Sequence, residues 1–155
     1  MFHASEVFAF AQAIEKSGQA FYQAMAQNAT QAEVQQLFAR LAAEEAQHIQ
    51  DFARLAAQAA PYDPPESYPG EYNDYMQALV DTSVFPQNLD AAALAKEIGS
   101  DRAALELAVR FEKDALLFFG VLKNLVSVTE ADQLEELLRQ ERRHLQALHA
   151  ALKER

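Results

Sequence analysis

Apolar positions recur three and four residues apart along four long stretches of this 155-residue chain, the spacing that lines one face of an α-helix. The first stripe runs Phe8, Ala11, Glu15, Gly18, Tyr22, Met25, and the second Val34, Phe38, Leu41, Glu45, His48, Phe52, Leu55. A third runs Leu105, Ala108, Glu112, Ala115, Phe119, Leu122, Val126, and a fourth Leu134, Leu137, Glu141, His144, Leu148. The pattern predicts helices over about 5–28, 30–59, 100–126 and 129–153. Thr30 and Glu33 stand in capping-box spacing at the start of the second, Ser100 precedes the third, and Thr129, with Asp132 three residues on, opens the fourth. Almost no chain separates the members of each pair, so each pair reads as a tight antiparallel hairpin.

Four of the five prolines fall in the stretch from Pro61 to Gly70. Together with the segment up to Gly99, they make residues 60–99 a long crossover containing a Tyr-bearing segment around Tyr72 to Val80, a turn near Pro86 and a short helical piece from Asp90 to Gly99. Tyr62, Tyr68, Tyr72 and Tyr75 are expected to anchor it on the bundle. Nothing alternates as a strand should. The expected fold is all-α: one domain over 1–155, an antiparallel four-helix bundle of two helical hairpins with one long crossover.

Each stripe is interrupted by a carboxylate at its middle, and the second and fourth also by a histidine one turn on. Burying an isolated carboxylate costs many kcal/mol unless it is paired, protonated or bound to a metal. No Lys or Arg interrupts the same stripes to neutralise Glu15, Glu45, Glu112 and Glu141. Two divalent cations would cancel these four charges, with His48 and His144 as neutral ligands. Geometry agrees independently. Glu15 and Glu45 are equidistant from position 30, and Glu112 and Glu141 from a point just past position 126, so each pair is level across its own hairpin turn. The Glu-x-x-His spacing puts Glu45 with His48, and Glu141 with His144, on one helix face. The halves also repeat: Glu15-Lys16 with Phe21-Tyr22 is echoed by Glu112-Lys113 with Phe118-Phe119, which predicts a pseudo-twofold site. Glu44 falls off the seam and is expected at the surface, as are His3 and His149.

Composition narrows the chemistry. Thirteen basic against 23 acidic residues give a formal charge of −10, which offers no basic patch to nucleic acid or an anionic membrane. Cancelling the four seam glutamates leaves −6 for the surface, ordinary for a soluble protein. With no cysteine, disulfides, thiolate nucleophiles and CxxC redox motifs are excluded. The N-terminus carries no basic n-region, and the longest apolar run, Ala115 to Leu122, is far short of the roughly 20 residues that span a bilayer, so a soluble, cytoplasmic protein is expected.

Glu15, Glu45-x-x-His48, Glu112 and Glu141-x-x-His144 together resemble the ligand pattern of the rubrerythrin-type branch of the ferritin-like di-iron carboxylate proteins, over residues 5 to 150. The resemblance implies two iron ions, with manganese or zinc as alternatives. It implies that Glu45 and Glu141 bridge the metals, that Glu15 and Glu112 are terminal ligands, and that His48 and His144 hold one metal each. Tyr22 matches a tyrosine beside the di-iron site in that family and is the candidate catalytic residue; the other reading is a core aromatic with a hydrogen-bonded hydroxyl. Two departures stand out. Rubrerythrins proper carry a four-cysteine rubredoxin domain, absent here, and a second glutamate one turn from the third-helix ligand, where this chain has Val109 and Ala115.

The implied activity is reduction of H2O2 or O2 at a carboxylate-bridged metal pair, with electrons from an external donor, rubredoxin-like or another reductase. The alternatives are a ferroxidase that handles iron and a metal-binding bundle without turnover. A homodimer is expected by analogy alone. Gly18, Ala11, Ala108 and Ala115, which flank the lone glutamates, either permit close helix packing or leave room for the oxidant.

Overall fold

In the computed structural model, residues 4–60 and 65–155 are described, and among them all regular structure is helical. Four long helices build the bundle: α1 (Ala4–Asn28), α2 (Ala32–Gln58), α5 (Asp101–Leu122) and α6 (Val128–Lys153). The crossover holds two short ones, α3 (Glu71–Asp81) and α4 (Ala91–Glu97). α1 packs along α2 and α5 along α6, giving two hairpins that meet through α1 against α5 and α2 against α6. Every apolar position of the four sequence stripes is buried. Each helix buries a wider stripe than the seam alone, because Val7, Phe21, Ala42, Phe111, Phe118 and Leu138 are buried too.

The helix starts differ from the sequence reading at two places. Ser100 does cap α5, accepting from the Ala103 amide at 3.1 Å. Thr30, however, does not cap α2. The N-cap is Gln31, without a side-chain bond, and the amides of Thr30 and Gln31 donate to the two carboxylate oxygens of Asp101, each at 2.8 Å. The first residue of α5 thus ties the turn of the other hairpin. α6 begins at a capping box of Ser127 and Glu130, two residues before Thr129. Ser-x-x-Glu satisfies two orphan amides reciprocally, which Thr129 with Asp132 does not do here.

The crossover is held only in part by its tyrosines. Tyr72 packs against the core, but Tyr68 and Tyr75 are 53% and 46% exposed, and Tyr62 lies outside the described residues. Instead, Met76 is buried, and Phe85 wedges against Phe21 and Phe111 with ring centroids 4.7 and 5.1 Å away. Polar clips flank the wedge: the Val84 amide donates to Asp114 at 2.8 Å and Ser17 to the Pro86 carbonyl at 3.3 Å. Gly70, with φ of 89°, supplies the left-handed residue that opens α3.

Candidate metal centre

The six seam-breaking residues lie at the same depth as the apolar core. Glu15 on α1, Glu45 and His48 on α2, Glu112 on α5, and Glu141 and His144 on α6 are all between 0 and 2% exposed. They occupy the layer between two apolar clusters, one around Phe8, Phe52, Phe119 and Leu134, the other around Phe38, Leu41, Leu105 and Leu148.

Within the layer the side chains fall into two groups of four: Glu15, Glu45, His48 and Glu141, and Glu45, Glu112, Glu141 and His144. In each group one donor atom per residue lies within 4.8 Å of all the others, and Glu45 and Glu141 belong to both. Both imidazoles turn Nδ1 inward. That of His48 is 2.6, 3.2 and 3.4 Å from carboxylate oxygens of Glu141, Glu45 and Glu15, and that of His144 is 3.4 Å from oxygens of Glu45, Glu112 and Glu141. The two rings stack 5.4 Å apart.

Of these approaches, only that of His48 Nδ1 to Glu45 Oε2 at 3.2 Å is a hydrogen bond. Among the described residues, seven buried side-chain polar atoms have no hydrogen-bond partner: both oxygens of Glu15 and of Glu141, Oε1 of Glu45, Oε2 of Glu112 and Nδ1 of His144. Glu141 Oε1 is one of them despite its 2.6 Å approach to His48, because the alignment is not that of a hydrogen bond. No lysine or arginine is buried among the described residues. Natural interiors rarely leave such atoms without partners, and hard carboxylate oxygens converging with imidazole nitrogens are the donor set for a pair of divalent ions. The residues therefore fit a metal pair.

The electrostatics say the same. Burial, reinforced by the charges of Glu141 and Glu45, pushes Glu15 and Glu112 well above the ordinary carboxylate range. Burial also opposes ionisation of Glu45 and Glu141, but the groups facing them outweigh it and leave both below that range; for Glu141 these include both histidines. Burial disfavours charge on the imidazoles, yet the carboxylates around His48 and His144 raise both well above the usual value. Without a metal, protons must serve as the layer's positive charge.

Three further side chains support the layer. Tyr22, fully buried, donates its hydroxyl to Glu112 Oε1 at 2.5 Å, while its ring packs against Phe38 and Phe111. Burial and the neighbouring Glu112 and Glu45 raise its pKa well above that of a free phenol. Glu44 lies off the seam and is partly exposed, but its Oε2 accepts a hydrogen bond from His144 Nε2 at 2.6 Å, so it is more than a solvated charge. Gln140 does the equivalent for His48, whose Nε2 donates to the amide oxygen at 2.7 Å. Neither contact is visible in single-helix periodicity, because each crosses from one hairpin to the other. The one available signal is position, since both residues immediately precede the glutamate of a Glu-x-x-His pair. His149 is exposed and His3 lies outside the described residues. A Cβ at Gly18 would collide with the Phe111 ring, so that glycine serves close packing.

The sequence profile described as Rubrerythrin matches residues 6–152. A search of curated proteins finds no match. Among solved structures the chain resembles one from Thermotoga maritima described as a ferritin-like di-iron carboxylate protein, with 21% identity, a TM-score of 0.73, and coverage of 99% of this chain and 96% of that one. That likeness is one of fold. Among the described residues, no helix is long and apolar enough to cross a membrane.

Proposed function

Since the chain belongs to the rubrerythrin family, we propose that its polar layer holds two iron ions and that the protein reduces hydrogen peroxide, or dioxygen, with electrons from an external donor. The observation that carries this reading is the sharing of Glu45 and Glu141 between two four-residue donor groups whose buried atoms lack hydrogen-bond partners. Glu15 with His48 serves one position and Glu112 with His144 the other, and two divalent charges balance the four carboxylates.

A ferrous pair supplies the two electrons that convert one H2O2 into two waters. The residues supply the setting. The apolar clusters on either side of the layer exclude bulk water from it, and the carboxylates hold it anionic enough to keep both cations. Two protons are also needed. Tyr22 keeps its proton through the neutral range and points it at Glu112, which makes it the nearest fixed donor beside the layer. The reductant is proposed to be an external donor, rubredoxin-like or another reductase.

Protein stripped with chelator and reloaded anaerobically with Fe(II) is expected to oxidise within seconds of adding H2O2 and to return on addition of a reductant. Oxidation no faster than in a Glu45→Ala, Glu141→Ala double variant would overturn the reading. Supplying Fe(II) in excess under air separates peroxide turnover from oxidation of iron as cargo. Metal analysis of protein made without supplementation, with its visible spectrum, distinguishes iron from manganese or zinc.

A further inference from the structure

The pseudo-twofold symmetry that relates the two metal positions fails one shell out. His144 donates Nε2–H to a carboxylate, Glu44 at 2.6 Å, whereas His48 donates to a neutral amide, Gln140 at 2.7 Å. The two acceptors occupy equivalent places, each directly before the glutamate of a Glu-x-x-His pair and each reaching the histidine of the other hairpin. The lone glutamates differ in the same direction. Glu112 receives the Tyr22 hydroxyl, while both oxygens of Glu15 are without a partner. In the internal repeat the counterpart of Tyr22 is Phe119, which has no hydroxyl to give.

An imidazole that donates to a carboxylate is a stronger ligand through its other nitrogen and is held in one tautomer and orientation; losing such a partner costs roughly ten- to a hundred-fold in metal affinity. A hydrogen bond to a ligating carboxylate likewise fixes its rotamer before the metal arrives. Both supports fall on the Glu112–His144 side. Gln140, by contrast, meets a carboxylate only at one remove, through a 3.4 Å bond from its amide nitrogen to Glu136.

We propose that the two metal positions are inequivalent: the one between Glu112 and His144, backed by Tyr22 and Glu44, binds tightly and fills first, and the one between Glu15 and His48 binds weakly and exchanges. Glu44, Gln140 and Tyr22 are positioning residues in this scheme. The proposal rests on the reading of the layer as a metal pair and adds an order of filling to it. Glu44 and Gln140 line the same open cleft with Arg40, Gln47, Arg143 and His144, so both outer partners meet solvent and the difference between them lies in their charge.

The test uses metal-free full-length protein and Co(II) alone, followed by calorimetry and visible absorption. Mutual repulsion would separate two binding steps even in a symmetric site, so the deciding measurement is where the first ion goes. Crystals grown with one equivalent and measured at the cobalt edge are expected to place it beside His144. The swap Glu44→Gln with Gln140→Glu preserves charge and composition and is expected to move the first ion to the His48 side. Glu44→Gln alone should weaken the first step by roughly ten-fold or more, and Tyr22→Phe should narrow the gap without reversing it. Equal occupancy of both positions, a first ion beside His48, or no change on swapping overturns the proposal while leaving the metal-pair reading standing. Failure to bind cobalt or iron at all overturns both.

Discussion

The two apolar clusters and the polar layer between them are equally dry and opposite in kind. Phe8, Phe38, Phe52 and Phe119 are fully buried, and so are Glu15, Glu45, His48 and Glu112 on the same helix faces. Full burial of a phenylalanine side chain contributes about 1.5–3 kcal/mol, whereas burial of an ion costs several kcal/mol unless good geometry and added hydrogen bonds offset it. In the metal-free layer that offset is poor, since seven of its polar atoms have no hydrogen-bond partner. The difference teaches that the ends of the bundle carry its stability and the middle carries its chemistry. One stretch of helix can do both because the seam changes character only over about one turn.

The largest effect that would sharpen this comparison is metal loading. An ion at about 1,000 times its dissociation constant adds about 4 kcal/mol. Two such ions would raise Tm by more than about 15 °C in a domain of this size, read by calorimetry with chelator and with metal. The gain should grow with pH. Glu15 and Glu112 have raised pKa values, so the stability they lend the metal-free fold is present below about pH 4.3 and lost as pH rises through their folded values. His48 and His144, also raised, lend stability below about pH 6.5 that is lost above it in the same way. Glu45 and Glu141, lowered, act only on the acid side, where their contribution is lost as pH falls below about 4.3. From about pH 5 upward the metal-free protein should therefore weaken while the loaded protein, having displaced those protons, gains on it. Parallel Tm curves between about pH 5 and 9 would contradict this assignment of charges.

Substitution on the two sides of the boundary should differ in sign. Phe52→Ala is expected to cost about 3–5 kcal/mol with or without metal, through the cavity it leaves. Glu15→Leu, at the same depth, is expected to leave the metal-free protein unchanged or stabilise it by about 1–4 kcal/mol, because a poorly satisfied buried charge becomes an apolar contact. It should also remove most of one ion's contribution. Denaturant titration of both variants in both states checks this. A metal-free Glu15→Leu protein as unstable as Phe52→Ala would mean that the layer is satisfied without metal.

The apolar pattern makes the bundle legible, because helix periodicity is a local property and a chain this rich in 3-4 spacing has few other ways to bury it. The six breaks in the pattern are legible for the same reason: Glu15 or His144 stands out only against a seam already identified. Most departures from the sequence reading concern contacts between distant segments, and the start of α6 is a local one. Thr30 has the residue type of a cap, but Asp101, some seventy residues away, reaches its amide first. Thr129 sits two residues inside a helix that Ser127 and Glu130 already close by a better reciprocal pair. The tyrosines have the residue type of anchors, yet α3 turns Tyr75 outward and buries Met76 beside it, as a helix laid on a bundle must. Glu44 and Gln140 escape notice because their partners lie across the hairpin boundary, where sequence spacing carries no distance.

Tyr22 belongs to both regions, and its substitution is the smallest and most discriminating break. Its ring is part of the apolar cluster, 5.8 Å from Phe38 and 6.0 Å from Phe111 by centroids, and only its hydroxyl reaches the layer. Tyr22→Phe keeps the ring and deletes the hydrogen bond, so the metal-free protein should lose about 1–3 kcal/mol as Glu112 Oε1 loses its one donor. Metal should shrink that loss, since a cation then satisfies the same oxygen. If the loss were purely a matter of packing it would persist at full size in the loaded protein, and peroxide-driven oxidation of Fe(II) would be unchanged. A loss that shrinks on loading, together with slower oxidation in the variant, would place the hydroxyl with the polar layer as its proton donor and leave only the ring to the core.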